Sequence, residues 1–224
     1  MGLFTRTPLI PVAQVVPAQS MCETNAPGKS QVDLTIASTL AVGPIRMLVQ
    51  GIETPLGPLT ALWSNLGLCR LQFGHAEAQL LDWAQARAVA SAVRSAGPSV
   101  LQSAVNEYFA GGEFDFPWGQ IDWTGIPEFH QRALVRCMQL RRGETLTYGQ
   151  LAAEIGSPQA ARAVGQAMAR NRLPLVIPCH RLLGSTGKLT GYSAADGVAT
   201  KSQLLAFERQ SRPWQVSQLQ LAYH

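Results

Sequence analysis

The sequence lacks an apolar run of the about 20 residues that a membrane-spanning helix needs, which argues against an integral membrane protein. Cysteine is also scarce. The four cysteines stand far apart and form no Cys-x-x-Cys element, so neither a disulfide framework nor a zinc ribbon is expected. Charged residues make up only 14% of the 224 residues and hydrophobic residues 46%, which is typical of a globular chain that buries a large core.

Charge is distributed unevenly along the chain. Residues 1–125 hold 6 Lys and Arg against 9 Asp and Glu, a net charge of −3, whereas residues 126–224 hold 12 against 5, a net charge of +7. A basic C-terminal part beside an acidic N-terminal part indicates that one domain binds a polyanion. The alternative is a solvated basic surface without a ligand, and charge alone favours that alternative.

The composition and the hydrophobic periodicity of the sequence change near residue 46. Residues 1–45 contain prolines, serines and threonines without clear periodicity, and we expect a flexible extension there. After it, three β-type runs are separated by Pro-Leu-Gly-Pro and Asn-Leu-Gly, which predicts a meander with tight turns. The runs are Met47–Thr54, Leu59–Ser64 and Gly67–Phe73.

Two helices and a last extended piece are predicted to complete the N-terminal part. Apolar spacing predicts a helix over Ala76–Ala96, ended by Gly97 and Pro98. A second helix, capped by Ser99, is expected to run through Phe109. The segment 118–123 is then expected to be extended and to lead into the basic part of the chain.

Short helices are predicted to dominate the basic part, starting with a run from Pro127. A short helix that starts at Thr147 is predicted to end at Gly156, and Ser157 followed by Pro158 predicts the start of the next helix, which we expect over 159–170. Two short helices joined by a tight glycine-containing turn form a candidate helix-turn-helix. An ordinary helical corner without a DNA-binding role is the more frequent explanation of this pattern taken alone.

The most informative segment is Leu175–Leu182, which reads Leu-Val-Ile-Pro-Cys-His-Arg-Leu. An apolar run ends at Pro178, which fixes its own φ and presents Cys179 at a rigid corner. His180 and Arg181 follow directly, and both can favour the thiolate form that attacks carbon. The segment predicts a nucleophilic cysteine, and the alternative is a buried cysteine that packs as a small hydrophobe.

The second helix of the candidate helix-turn-helix carries mostly small side chains, which allow a close approach to a nucleic-acid groove. Arg162 is the long exception on this face. By itself it would be a solvated surface arginine. It gains weight because Asn171 and the Cys179 corner follow soon after the helix, which would bring a DNA-binding helix beside a nucleophile.

Taken together, these motifs resemble those of the O6-alkylguanine-DNA alkyltransferases, the suicide repair proteins also called methylated-DNA–protein-cysteine methyltransferases. Their order and spacing agree with that family, and two further motifs look like elements of its N-terminal domain. The C-terminal motifs are Gly143–Thr145, Tyr148–Ala152, Ala161–Gly165, Asn171, Ile177–Arg181, Gly191–Ser193 and Lys201–Glu208, and the N-terminal ones are Thr54–Leu59 and Asn106–Gly111.

The resemblance implies an α/β plus α fold. A ribonuclease-H-like α/β domain would cover 46–125, and a winged-helix-like domain with the helix-turn-helix would cover 126–212, followed by a tail over 213–224. The implied function is direct-reversal DNA repair, in which the alkyl group of O6-alkylguanine passes to Cys179 in a single turnover after base flipping. O4-alkylthymine stays open as a second substrate. The thioether product has no good leaving group, so each molecule reacts once.

The resemblance also implies roles for individual residues. Cys179 would be the nucleophile, His180 its base through a water molecule, and Glu208 the carboxylate that orients His180. Asn171 and Tyr148 would complete the catalytic set. Arg162 would fill the gap left by the flipped nucleotide, which Tyr148 helps to rotate. The remaining implied DNA contacts are Ala161, Gly165 and Arg170, and the implied base pocket is Met168, Pro174, Tyr192 and Ser193.

The expected partner is double-stranded DNA that carries the lesion, bound by a monomer in the cytoplasm at the nucleoid, or in the nucleus of a eukaryote. This chemistry needs no cofactor and no metal. Some relatives bind zinc, but Cys22, Cys69 and His75 lack ligand spacing. The loop Ala194–Gly197 is slightly longer than in many relatives and lacks their Gly-Gly pair, which bears on how bulky an adduct can be.

Two rival functions belong to other classes. A non-catalytic, alkyltransferase-like protein would sense the lesion for other pathways, but such relatives replace the cysteine that this chain retains at position 179. A helix-turn-helix regulator without chemistry would not need His180, Asn171 and Glu208 together.

Overall fold

The computed structural model describes residues 46–85, 91–94, 97–192, 196–210 and 213–214. The predicted extension over 1–45 and nearly all of the predicted tail lie outside these ranges. The three β-type runs form the predicted antiparallel meander. Its strands are β1 (Arg46–Ile52), β2 (Leu59–Ser64) and β3 (Gly67–Phe73).

Glycine is required at the turn between β2 and β3. Gly67 has a φ of 137°, a backbone conformation that side chains with a Cβ rarely adopt. A Cβ at this position would also collide with the carbonyl group of Gln120. The hairpin therefore fits closely against the segment that follows the N-terminal helices.

The predicted helix over Ala76–Ala96 is wrong in its second half. Helix α1 covers only Glu77–Gln85, and Ser91–Arg94 form strand β4, which pairs parallel with β1. The sheet order is β3-β2-β1-β4. Alanine and valine suit either conformation, so the outer edge of β1, with its unpaired backbone groups, decides in favour of a strand.

Two smaller predictions in the N-terminal part are also corrected. Helix α2 (Ser99–Phe109) forms as expected, but its cap position is Pro98 and no side chain caps it, so Ser99 is the first helical residue. In the segment predicted to be extended, Trp118–Gln120 form a 3-10 turn. Only Ile121 makes a strand-like bridge there, to Leu68.

The basic part is helical as predicted, and it contains the helix-turn-helix pair. Thr147 caps the first helix of the pair in a capping box with Gln150. The second helix starts two residues later than predicted, with Ala160 instead of Ser157 at its cap. The elements are α3 (Glu128–Met138), β5 (Leu146–Thr147), α4 (Tyr148–Glu154), α5 (Ala161–Ala169), the 3-10 turn Cys179–Arg181, β6 (Leu182–Leu183) and α6 (Val198–Glu208).

One apolar core joins the inner face of the sheet to the helices of the basic part. Leu59 and Trp63 of the sheet belong to it together with Phe109, Leu134 and Phe207. The other face of the sheet packs on α1 in a smaller cluster. The described residues from Arg46 onward thus form one compact unit, and the predicted boundary near 126 stays a prediction. Within the described ranges, every helix is too short or too polar to cross a membrane.

Candidate active site

The corner that carries Cys179 is a short turn buried within the basic part of the chain. Pro178 (φ −78°, ψ 62°) leads into the 3-10 turn, and only 5% of Cys179 is exposed. The Cys179 N–H donates to the Ile177 carbonyl oxygen at 2.8 Å. Upstream, the buried Leu175 holds a left-handed φ of 70°, a strained conformation for a residue with a Cβ. Burial of its side chain keeps this turn in place.

Asn171 connects the end of helix α5 to the cysteine corner. Its Nδ2 donates to the Ile177 carbonyl oxygen at 2.9 Å and to the Cys179 Sγ at 3.2 Å. Its Oδ1 accepts from the Leu173 N–H at 2.9 Å. The amide therefore fixes the loop and also places a hydrogen-bond donor on the sulfur atom.

His180 points away from the solvent into a cluster of charged groups. Its Nε2 lies 2.7 Å from Oε1 of Glu208, the last residue of α6. Arg181 binds both oxygens of the same carboxylate, with Nη2 at 2.8 Å from Oε1 and Nε at 2.9 Å from Oε2. Burial would raise the pKa of Glu208, but His180 and Arg181 outweigh it and hold this pKa well below its ordinary value.

The protonation of His180 follows from these contacts. Burial lowers the pKa of His180, although Glu208 acts in the opposite direction, so the imidazole is neutral at neutral pH. Because Glu208 is ionised and can only accept, Nε2 carries the hydrogen and Nδ1 carries the lone pair. This Nδ1 is buried and has no hydrogen-bond partner within the described residues. The ring is thus a base with an available nitrogen.

Burial raises the pKa of the Cys179 thiol, and the opposing effects of Asn171 and Lys201 do not cancel it. The expectation that Arg181 favours the thiolate is wrong, because its guanidinium is bound to Glu208 and to the Leu140 carbonyl oxygen. The resting site therefore pairs a thiol with a neutral imidazole. Activation has to come from proton transfer during the reaction.

A cavity of 420 Å³ opens beside Cys179. Tyr148 and Tyr192 are half-buried in its wall, and the Tyr192 hydroxyl has no hydrogen-bond partner in the described part of the chain. Thr190 donates to the Tyr148 hydroxyl at 3.4 Å. The lining consists of Tyr148, Gly165, Met168, Ala169, Cys179, Thr190, Gly191 and Tyr192.

A fully buried lysine supports the far wall of this cavity. Lys201 Nζ donates to the carbonyl oxygens of Leu182 at 2.6 Å and Thr190 at 3.0 Å. Burial lowers its pKa, and its charge in turn opposes the rise in the pKa of Cys179. Lys201 belongs to the family motif Lys201–Glu208, but no role in the site was predicted for it.

The structure brings most of the predicted site residues together, with some exceptions. Arg162 is exposed on the first turn of α5, beside Ala161. Pro174 and Arg170 line a separate cavity of 580 Å³ and not the one beside Cys179. Ser193 and residues 194–195 of the loop 194–197 lie outside the described residues. Among the described residues, no group of three or more His, Cys, Asp or Glu side chains could hold a metal ion.

Sequence reasoning missed two side chains of the charged cluster. Arg181 was expected to act on the thiol, and Tyr108 of helix α2 was seen only as part of an N-terminal motif. The Tyr108 hydroxyl donates to Glu208 Oε1 at 2.9 Å. The motif 106–111 was the available signal, but a motif does not show which partner a side chain reaches.

Comparisons with known proteins agree with this geometry. A family model described as the DNA-binding domain of 6-O-methylguanine DNA methyltransferase matches residues 128–210. The methylated-DNA–protein-cysteine methyltransferase of Mycobacterium bovis is 35% identical, and the alignment covers 72% of this chain and 92% of that protein. The protein of the same name from Shigella flexneri is 34% identical, with 73% and 96% covered.

Solved structures show the same similarity. Mycobacterium tuberculosis OGT in complex with DNA is 33% identical, with a TM-score of 0.62 over 78% of this chain and 98% of that one. The O6-methylguanine-DNA methyltransferase of Pyrococcus kodakaraensis, at 20% identity and a TM-score of 0.54, shares the mixed α/β fold over 72% of this chain and 98% of that one. By sequence, structure and the arrangement around Cys179, this chain belongs to the methylated-DNA–protein-cysteine methyltransferase family.

Proposed function

We propose that this protein repairs alkylated DNA directly, by moving the alkyl group of O6-alkylguanine to Cys179. One observation carries the proposal: the Cys179 thiol borders a 420 Å³ cavity and accepts a hydrogen bond from Asn171. The next residue in the chain is a neutral, buried histidine. O4-alkylthymine is a second substrate that the same chemistry could use.

The transfer is a displacement at the alkyl carbon. His180 Nδ1 takes the thiol proton through a water molecule while Sγ bonds to the alkyl carbon and the bond from that carbon to O6 breaks. The Tyr148 hydroxyl, in the cavity wall, donates a proton to the departing guanine. Asn171 and Lys201 stabilise the developing thiolate, and Glu208 stabilises the imidazolium. The thioether is stable, so the protein acts once.

DNA binding is assigned to the helix-turn-helix of α4 and α5. The exposed Arg162 would enter the stack when the nucleotide leaves it, and unstacking costs a few kcal/mol that backbone contacts offset. Ala161 and Gly165 are small residues that would let the helix approach the groove, and Gly165 faces open space, because a Cβ there would meet nothing within 4 Å. Arg170 would contact the backbone. A relative of known structure has been crystallised with DNA.

The finer details of the fold and its setting belong to the same proposal. An antiparallel meander followed by a helix and a strand parallel to the first strand supports a ribonuclease-H-like N-terminal domain. The paired helices α4 and α5, with the short pairing of β5 and β6, support a winged-helix-like C-terminal domain. We propose a monomer that works where the DNA is, in the cytoplasm at the nucleoid or in a nucleus.

Mass spectrometry tests the proposal. The purified protein is mixed with a duplex that contains O6-methylguanine and is then digested. The peptide with Cys179 should gain one methyl group, the Cys179→Ala variant should gain none, and the Cys69→Ala variant should react normally. A protein that binds this duplex and keeps an unmodified Cys179 would be a lesion sensor, and the repair function would then be wrong.

A further inference from the structure

Helix α2 brings a tyrosine to the carboxylate that binds the catalytic histidine. Tyr108 is 1% exposed, and its hydroxyl lies 2.9 Å from Glu208 Oε1. The same oxygen atom accepts from His180 Nε2 at 2.7 Å and from Arg181 Nη2 at 2.8 Å. Tyr108 is 100 positions away from Glu208 in the chain and outside the matched DNA-binding segment, 128–210.

Arg142 holds Tyr108 and Glu208 in this position. Its guanidinium lies 5.5 Å from the centre of the Tyr108 ring and 4.1 Å from that of Phe207. It donates to the carbonyl oxygens of Tyr108 and Phe207, and so joins the end of α2 to the end of α6. The contact between Tyr108 and Glu208 is therefore fixed from both sides.

The direction of the hydrogen bond is also fixed. Burial, with the nearby negative charge of Glu208, raises the pKa of Tyr108 well above its ordinary value, so the phenol keeps its proton. Glu208 is ionised and only accepts. A carboxylate that accepts from Tyr108 presents less negative charge to the imidazole of His180.

We propose that Tyr108 is a positioning residue for alkyl transfer: its hydroxyl fixes Glu208 and limits how strongly this carboxylate attracts the proton of His180. The inference rests on the proposed function. The other groups that face His180 are the Arg181 and Lys201 cations and the Tyr192 ring, at 6.4 Å. Tyr108 differs from these because it acts on His180 only through Glu208.

The test is the pH dependence of transfer from a free O6-benzylguanine base in the Tyr108→Phe variant. His180 reacts only when neutral, and the loss of the hydroxyl donor raises its pKa. In a plot of transfer rate against pH, the acid limb, where the rate falls as His180 becomes protonated, should therefore shift to higher pH by about 0.5 unit. At a fixed pH on this limb the rate is then about threefold lower. Identical profiles, or an equal loss of rate at every pH, would overturn the proposal.

A second variant tests the same contact by strengthening the hydrogen bond from Tyr108 instead of removing it. Replacement of Tyr108 by 3-fluorotyrosine gives a more acidic phenol and a stronger donor in nearly the same shape, so the acid limb should move to lower pH. A shift in the same direction as that of Tyr108→Phe would overturn the proposal. Phe114→Leu is the packing control, because its ring contacts that of Tyr108 at 5.7 Å, and it should leave the limb in place.

The two proposals fail in different ways. If wild-type protein transfers no benzyl group to Cys179, the proposed function is wrong. If wild type reacts normally and the two Tyr108 variants keep its pH profile, only the positioning role is wrong. The NMR titration of the His180 imidazole in a Cys179→Ser background provides a reading that does not depend on the reaction, and it should shift in the same directions.

Discussion

The two sides of Cys179 are built differently. On the proton-transfer side, which we call the relay side, Tyr108, His180, Arg181 and Glu208 are each at most 5% exposed, and the other three side chains all hydrogen-bond to the Glu208 carboxylate. On the cavity side, Tyr148, Thr190 and Tyr192 are half-buried or exposed, and within the described ranges the two tyrosine hydroxyls make one weak hydrogen bond, at 3.4 Å. In the proposed reaction, proton transfer does not depend on the alkyl group, whereas the cavity receives the alkyl group itself.

The difference has an energetic consequence. A buried charge that loses its partner is strongly destabilising, whereas exposed polar contacts contribute little to folding. Changes on the relay side should therefore alter both stability and rate. Changes on the cavity side should alter the rate alone.

Glu208→Gln should have the largest effect on stability. It leaves Arg181 buried without its counter-ion, which should reduce the free energy of unfolding by about 3–5 kcal/mol. Chemical denaturation measures this loss, and alkyl transfer should nearly stop as well. The control is Glu154→Gln, which breaks the partly exposed ion pair with Arg136 and should cost less than about 1 kcal/mol. Equal losses in the two variants would contradict the comparison.

Acidification should reproduce part of that loss in the wild-type protein. Folding lowers the pKa of His180 below 6.5 and that of Glu208 below 4.5, so at acid pH the unfolded chain binds more protons. Stability should be highest above pH 6.5, fall as the pH passes below that value, and fall again below pH 4.5. Thermal unfolding across this range checks the curve. The lower step should be weaker in Glu208→Gln, and a flat wild-type curve would refute the assignment.

Tyr148→Phe should change the free energy of unfolding by less than about 0.5 kcal/mol, since the lost contact is long and near the solvent. The transfer rate should still fall by at least about tenfold, because in the proposed mechanism Tyr148 is the proton donor to the departing guanine. Denaturation and stopped-flow measurements on one protein sample separate the two effects. A stability loss as large as that of Glu208→Gln would place Tyr148 on the relay side.

Arg162→Ala should have no measurable effect on stability, because its side chain is exposed. It should slow repair in duplex DNA by about tenfold, a loss of about 1.4 kcal/mol in transition-state binding, and leave transfer from free O6-benzylguanine unchanged. Arg209→Ala removes an exposed charge elsewhere and should show neither effect. If Arg162→Ala slows both reactions equally, Arg162 does not act in base flipping.

The sequence predicts best where local chemistry is sufficient. The turns on both sides of Leu59–Ser64 contain residues that end strands, and Thr147 has the spacing of a capping box, so these elements form as expected. Strand β4 could not be predicted in this way, because residues 91–94 become a strand only by pairing with β1. Tertiary contact overrides local preference there.

The candidate site shows the same limit. The family motif points to Cys179, His180 and Glu208, but it does not show where charged side chains point. Charged side chains are usually exposed, yet Arg181 and Lys201 are buried in the structure. The contacts of the buried charged groups come from distant segments. The Tyr108 hydroxyl, for example, reaches Glu208 across 100 positions of the chain. No local pattern records such a pairing.

The burial of Cys179 has a further consequence for a protein that acts only once. Peroxides oxidise the thiolate form of cysteine, and the raised pKa of Cys179 keeps its sulfur in the thiol form between encounters with damage. Only 5% of Cys179 is exposed among the described residues, which limits the contact of its sulfur with dissolved oxidants. The burial that makes proton transfer necessary for the reaction thus also protects the unreacted Cys179 from oxidation before the protein meets a lesion.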